Sequence, residues 1–142
     1  MKRLMLIGQS QSGKTTLVQC LQELPLHYHK TQALDYGDLA IDTPGEYLEN
    51  RCLYSALITT SYDADVVALV QSAAADGSRF APLFACAFNK PVIGIITKAD
   101  QSSGPQQLER ACQHLGQAGA NTLFITSSLT GEGIAALRAF LA

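Results

Sequence analysis

The chain has 142 residues, 47% of them hydrophobic and 15% charged, with a formal net charge of -2. This is the size of one domain, residues 1–142, with enough apolar material for a packed core, which excludes a disordered chain. The charge balance excludes a global basic footprint for nucleic acid or an anionic membrane, and no segment approaches the ~20 apolar residues of a membrane span.

From the N-terminus, Arg3–Ile7 (RLMLI) reads as a buried strand. Its apolar run is shorter than the about 7–15 residues of a signal peptide, so a cytoplasmic protein is expected. A strand starting near Arg3 also leaves little room for a separate targeting helix. Thr15–Leu24 spaces Leu17, Cys20, Leu21 and Leu24 along one helix face, and Pro25 ends it. An irregular polar stretch with a Gly37-Asp38 turn leads to a strand at Leu39–Asp42.

The segment 47–60 can form a helix with Leu48, Cys52, Leu53, Ala56 and Leu57 inward. Asp65–Val70, Pro91–Ile96 and Thr122–Thr126 are apolar runs of the kind that form central parallel strands. Pro105–Gly119 opens with Pro at a first helical position and closes with Gly, and Gly133 precedes a last helix, IAALRAFL. Strand and helix alternate throughout, which predicts an α/β layer fold with a mostly parallel sheet. Ligands on such sheets bind at the carboxyl ends of the strands, where Ile7, Ile41, Ile96 and Thr126 are followed by polar residues.

The strongest motif lies at the first of those ends. Gly8-Gln9-Ser10-Gln11-Ser12-Gly13-Lys14-Thr15 matches G-x-x-x-x-G-K-[ST] between a strand and a helix. Such a loop curls backbone N–H groups around phosphates at the positive end of the next helix, which begins with Thr15 and Thr16. Lys14 can reach the β- and γ-phosphates, and the Thr15 hydroxyl can ligate Mg²⁺. Asp42 ends a strand and is followed by Thr43-Pro44-Gly45. Its carboxylate can hold Mg²⁺ through a water, and the Gly45 N–H can meet the γ-phosphate. Thr31 is a further candidate Mg²⁺ ligand, set against the plain reading of a solvated loop residue.

The stretch Thr97-Lys98-Ala99-Asp100 follows a strand on the same rim. A carboxylate at Asp100 can accept from guanine N1–H and the 2-amino group, a donor pair that adenine lacks. The Lys98 stem can lie along the base. Thr97 stands where guanine-nucleotide switches usually carry Asn, and it lacks the carboxamide that ties the base to neighbouring loops. A weaker grip with guanine preference retained is expected. After the last strand, Ser127-Ser128-Leu129 offers a backbone N–H, at Ser128, within reach of guanine O6.

Cys20, Cys52, Cys86 and Cys112 lie far apart, with no CxxC pair and no Cys/His cluster at metal-ligand spacing. They read as free thiols of a reducing compartment. His27 and His29 have no third ligand at suitable spacing and read as exposed.

The order GQSQSGKT, DTPG, TKAD, SSL, each after a strand, resembles the Ras-like and Era-like P-loop GTPases over nearly the whole chain. The resemblance implies a three-layer P-loop NTPase fold, Ras-like, with helices on both faces of the sheet. The segment from Thr31 to Asp42 is short, so a stunted antiparallel edge at the second strand is expected. KTQALDYGDLAIDTPGEYLENRCLYSALITT, with MKRLMLIG and NKPVIGIITKAD, resembles the EutP/PduV family more narrowly, nearer its propanediol side. These small proteins are encoded with bacterial ethanolamine- and propanediol-utilisation systems. That likeness implies a nucleotide-binding protein of microcompartment metabolism, with shell proteins or enzymes as partners.

Two departures from the Ras-like pattern bear on chemistry. Glu46 stands where a Gln orients the attacking water, and Ser10 lies where Gly is frequent. A carboxylate at Glu46 can take a proton but repels the γ-phosphate, so slow hydrolysis is expected. Three readings follow. The first is a GTP/GDP switch with Mg²⁺ and weak GTPase activity through Lys14, Thr15 and Glu46. The second is an ATP-dependent enzyme acting on a small carboxylate. The third is a nucleotide-holding adaptor of the microcompartment, with the helix over 47–60 as contact surface.

Overall fold

Six strands form one sheet in the computed structural model, which describes residues 3–8, 17, 35–36, 40–42, 54–73, 84–98, 104–127 and 133–141. They are β1 (Leu4–Ile7), β2 (Asp35–Tyr36), β3 (Ala40–Asp42), β4 (Val66–Ser72), β5 (Val92–Thr97) and β6 (Thr122–Ile125), in the spatial order β2-β3-β1-β4-β5-β6. Every neighbouring pair is parallel except β2 with β3. The antiparallel edge is stunted, as the short segment before Asp42 predicts: β2 has two residues, and it lies within the stretch that reads as irregular in the sequence.

β1, β4 and β5 are buried along their whole length, which explains their continuous apolar runs. Alternation along each strand divides the core into two layers. One layer holds Met5, Ile7, Val67, Leu69, Val92 and Ile96 and is covered by Leu57, Ala111, Leu115 and Ala118. The other holds Leu4, Leu6, Ala68, Val70, Ile93 and Ile95 and is covered by Leu17, Ile134 and Leu137. Helices therefore flank the sheet on both faces. Leu17 is helical and fully buried, in keeping with the helix expected over Thr15–Leu24, whose other residues lie outside the described ones.

The first layer is capped by α1 (Tyr54–Ser61) and α2 (Pro105–Gln117). In α2, Pro105 stands in the first turn and Ala111, Leu115 and Ala118 share the buried face. The helix closes where the N–H of Ala120 meets the Leu115 carbonyl, with Gly119 at φ 103. A 3₁₀ turn at Phe84–Ala87 adds Phe84, whose ring meets Phe88 edge-on at 5.5 Å. On the second face, α3 (Ile134–Leu141) buries Ile134 and Leu137 and sets Phe140 edge-on to Phe124 at 5.4 Å.

The strand over 122–126 departs from expectation. It reads as a central strand in the sequence but is the outer edge, with Leu123 and Ile125 each 38% exposed. The cause is placement: among the described residues α2 lies mainly over β5 and β4, and Leu123 and Ile125 of β6 are left partly exposed.

At the opposite rim from the site, Arg3 staples β1 to β4. Its carbonyl accepts from the N–H groups of Asp65 and Val66, and its own N–H donates to the Asp65 carboxylate at 2.8 Å.

Candidate functional site

Parallel pairing determines which motifs meet. Leu6 is in register with Asp42 across β1 and β3, so the end of β3 lies beside the start of the Gly8–Thr15 loop. Gly8, immediately after β1, is buried. On the other side of β4, Ser72 is in register with Thr97 and Ile96 with Ile125, which brings Thr97 beside Thr126 and Ser127. The four motifs thus leave the same rim, phosphate-type ones from β1 and β3 and base-type ones from β5 and β6. The chain's connections diverge to either side of β1, which makes the carboxyl end of β1 a topological switch point, where open α/β sheets bind ligands.

The base-type half is built from interlocked main chain. Thr97 is 2% exposed; its carbonyl accepts from the N–H of Ala73 at 2.8 Å, and its hydroxyl lies 3.5 Å from the Gln71 carbonyl. Ile96 receives two bonds from Thr126, from the N–H at 2.7 Å and from the hydroxyl at 2.9 Å. Thr126 and Ser127 are fully buried. Lys98 then takes the left-handed conformation, at φ 57, a place costly for a side chain with a Cβ. Strain of this kind collects where a loop is held for binding.

Behind Thr97 lies a residue that the sequence reading passed over, because the apolar run was ended at Val70. Gln71 is 4% exposed and its amide nitrogen lies 3.3 Å from Nδ1 of His114 on α2. Among the described residues its buried Oε1 has no hydrogen-bond partner. The signal was available: a carboxamide inside VVALVQS must find a partner once buried.

Of the residues singled out from sequence, Gly8, Asp42, Thr97, Lys98 and Ser127 fall among the described ones, Asp42 by its backbone. Gln9, Ser10, Gln11, Ser12, Gly13, Lys14, Thr15, Thr16, Thr31, Gly45, Glu46, Asp100, Ser128 and Leu129 lie outside them, as do His27, His29, Cys20 and Cys52. Among the described residues no group of three His, Cys, Asp or Glu side chains could hold a metal, and no helix is long and apolar enough to cross a membrane. Cys86 and Cys112 are free thiols.

This strand order, with the motifs on one rim, defines a Ras-like P-loop fold. Solved structures agree. A bacterial selenocysteine-specific elongation factor, EF-Sec, superposes with a TM-score of 0.70 over 97% of this chain, at 20% identity and over 27% of its own length. The elongation factor SelB from Methanococcus maripaludis, solved with the GTP analogue GppNHp, gives 0.63 over 98% of this chain and 32% of its own, also at 20% identity.

The chain belongs to the PduV-EutP family, described as ethanolamine utilisation - propanediol utilisation, whose model matches residues 1–142. It is 52% identical over 141 residues to the propanediol utilization protein PduV of Citrobacter freundii, covering 99% of this chain and 93% of that one. It is 41% identical over 102 residues to the probable acetate kinase EutP of Escherichia coli K12, covering 70% of this chain and 64% of that relative.

Proposed function

We propose that this protein is a guanine-nucleotide switch with slow intrinsic hydrolysis, working with a propanediol- or ethanolamine-utilisation system. The observation that carries the reading is the shared rim: the carboxyl ends of β1 and β3 stand together, and those of β5 and β6 stand together one strand away. A nucleotide laid across that rim meets phosphate-binding residues at one end and base-reading residues at the other. The donor set suits the ligand, with a Gly-rich loop and Lys14 for phosphate, and Thr15 and Asp42 for Mg²⁺.

In this reading the N–H groups of residues 8–16 and the Lys14 ammonium neutralise the phosphates. Thr15 and Asp42, with Thr31 as a candidate, offer oxygens to Mg²⁺, which offsets charge between the β- and γ-phosphates when bound. Gly45 senses the γ-phosphate. Thr97 and Lys98 support the base, Asp100 reads its N1–H and 2-amino group, and the backbone of Ser127, Ser128 and Leu129 meets O6. Phosphoryl transfer needs mainly positioning and charge neutralisation. Glu46 supplies neither the orienting amide of a Gln nor a neutral side chain, so hydrolysis is slow unless a partner completes the site.

The test is a displacement titration. Fluorescent GDP is bound in Mg²⁺ and competed with GTP, GDP, ATP and ADP, for wild type and Asp100→Ala. Guanine preference that disappears in the variant supports the switch. Equal or better competition by ATP overturns it.

A second reading has one specific observation in its favour, the probable acetate kinase name carried by the EutP relatives. It makes this rim an ATP site and adds a small carboxylate as phosphoryl acceptor. Acyl phosphate formed from ATP in a coupled assay would move this reading to first place; none formed would remove it.

A further inference from the structure

Gln71 stands at the junction of three elements. Odd-numbered residues at this level of β4 turn their main chain to β5: the N–H of Val67 donates to the Pro91 carbonyl and that of Ala73 to the Thr97 carbonyl, whereas the N–H of Val66 donates to Arg3 beside β1. By that alternation the main chain of Gln71 faces β5, and its carbonyl also lies 3.5 Å from the Thr97 hydroxyl. Its side chain leaves toward α2 and donates to Nδ1 of His114 at 3.3 Å. β5 ends at Thr97 and α2 begins at Pro105. Between them in the chain stand Lys98 and Asp100. One residue of β4 thus bonds both of the elements that bracket the base-type motif.

Stability does not account for a carboxamide at this place. On the side facing α2, β4 carries Val67 and Leu69 before Gln71 and Ala73 after it, all buried. An aliphatic side chain at 71 would bury more apolar area and leave no polar atom unpaired, whereas Gln71 Oε1 has no hydrogen-bond partner among the described residues. What the carboxamide adds is direction. Apolar contact is non-directional and lets a helix shift slightly over a sheet, while a hydrogen bond to a ring nitrogen fixes distance and angle. Departures from the locally best residue collect at functional sites. Lys98 is held at φ 57 immediately beyond Thr97, so the exit of the chain from β5 is set as well.

We infer that Gln71 is a positioning residue for base recognition: its carbonyl holds the end of β5 and its carboxamide holds α2, which fixes the separation of Thr97 and Pro105 on either side of the base-reading motif. The inference rests on the guanine-nucleotide reading above. His114 is the anchor on α2, and neither side chain needs to touch the nucleotide. With the bond lost, α2 and the end of β5 shift relative to each other. A contact that depends on the placement of Asp100 then weakens before the contacts to phosphate do.

The test compares two nucleotides that differ by one group. IDP has the phosphates, ribose and N1–H of GDP but lacks the 2-amino group. Each displaces fluorescent GDP from the purified full chain in Mg²⁺, and the ratio of their affinities is read. A ratio within one protein does not depend on how much of that protein is folded. Wild type should prefer GDP. In Gln71→Leu and in His114→Ala the preference should fall about twofold to tenfold, the size of one net hydrogen bond. His114→Asn, whose Oδ1 can stand in for Nδ1, should keep it. A preference unchanged in either Gln71→Leu or His114→Ala, with wild type preferring GDP, overturns the inference and leaves the nucleotide reading intact. Equal loss in His114→Asn and His114→Ala overturns it too, since the hydrogen bond would not be what matters. No preference for GDP over IDP in the wild type overturns the base-reading role of Asp100, and the inference with it.

Discussion

The hydroxyl of Thr97 points back across the sheet to the carbonyl oxygen of Gln71, at 3.5 Å, from a position that is 2% exposed. The residue in the place of the usual Asn is thus tied to the floor of the site. A carboxamide there has the length and the second hydrogen-bonding group to reach forward to the neighbouring loops as well.

Thr97→Asn is therefore expected to tighten guanine-nucleotide binding. One added hydrogen bond of about 1 kcal/mol corresponds to roughly fivefold in affinity. Titration with fluorescent GDP measures it, and thermal unfolding of the free protein shows whether the larger side chain strains the buried position. An unchanged or weaker affinity at unchanged stability would mean that Thr97 does not limit the grip on the base.

Gln71 and His114 carry an opposite pair of expectations. The Gln71 amide nitrogen bonds Nδ1 of His114, while the buried Oε1 has no partner among the described residues. Gln71→Leu removes that orphaned oxygen and leaves half-buried His114 able to turn to water, so stability should change by less than about 1 kcal/mol in either direction. His114→Ala strands both ends of a buried carboxamide and should cost roughly 1–3 kcal/mol. Urea denaturation of both variants decides the matter. If Gln71→Leu is the more damaging, the hydrogen bond outweighs the orphaned oxygen.

The glycines of α2 and of the turn before α3 separate by backbone and space. Gly133 has φ 76, and a Cβ there would sit 2.1 Å from the Ile125 carbonyl oxygen, a main-chain atom that cannot move alone. Gly133→Ala should cost roughly 2–5 kcal/mol, the left-handed penalty plus a forced shift of the segment that holds Thr126. Gly116 is exposed within α2, and a Cβ there would meet nothing within 4 Å. Gly116→Ala should stabilise by about 0.5–1 kcal/mol. Melting temperatures that fall for both would show that the space at Gly116 is needed.

The fold was legible where composition and position agree. Arg3–Ile7, Asp65–Val70 and Pro91–Ile96 are apolar runs because both of their faces are covered, and β1, β4 and β5 follow them closely. Pro105 and Gly119 mark the two ends of α2 by their backbone preferences. Thr122–Thr126 looks the same in sequence, yet it is an edge. A short apolar run records that it forms a strand, not how many neighbours it has. Asp35–Tyr36 was invisible because a two-residue antiparallel strand has no periodicity to detect. At the site, motif order predicted the shared rim, since parallel crossovers bring successive strand ends to one side. The buried link from Gln71 to His114 spans β4 and α2, far apart in sequence, and depends on packing alone.

The thiols give the last expectation. Cys86 is exposed in the 3₁₀ turn, whereas Cys112 is half-buried in α2. Burial, and secondarily the carboxylate of Glu109, hold the Cys112 thiol above its ordinary value of 9.0. The thiolate is the reactive form, so near pH 8 iodoacetamide should label Cys86 ahead of Cys112, as peptide mapping would show. Glu109→Gln removes the repelling charge and should quicken Cys112 without affecting Cys86. The same shift affects stability. A thiol that prefers its neutral form in the fold adds stability that is present below pH 9.0 and lost as pH climbs through the raised folded value. Equal labelling rates at the two sites would show that Cys112 is reached by opening of α2 rather than attacked in the closed fold.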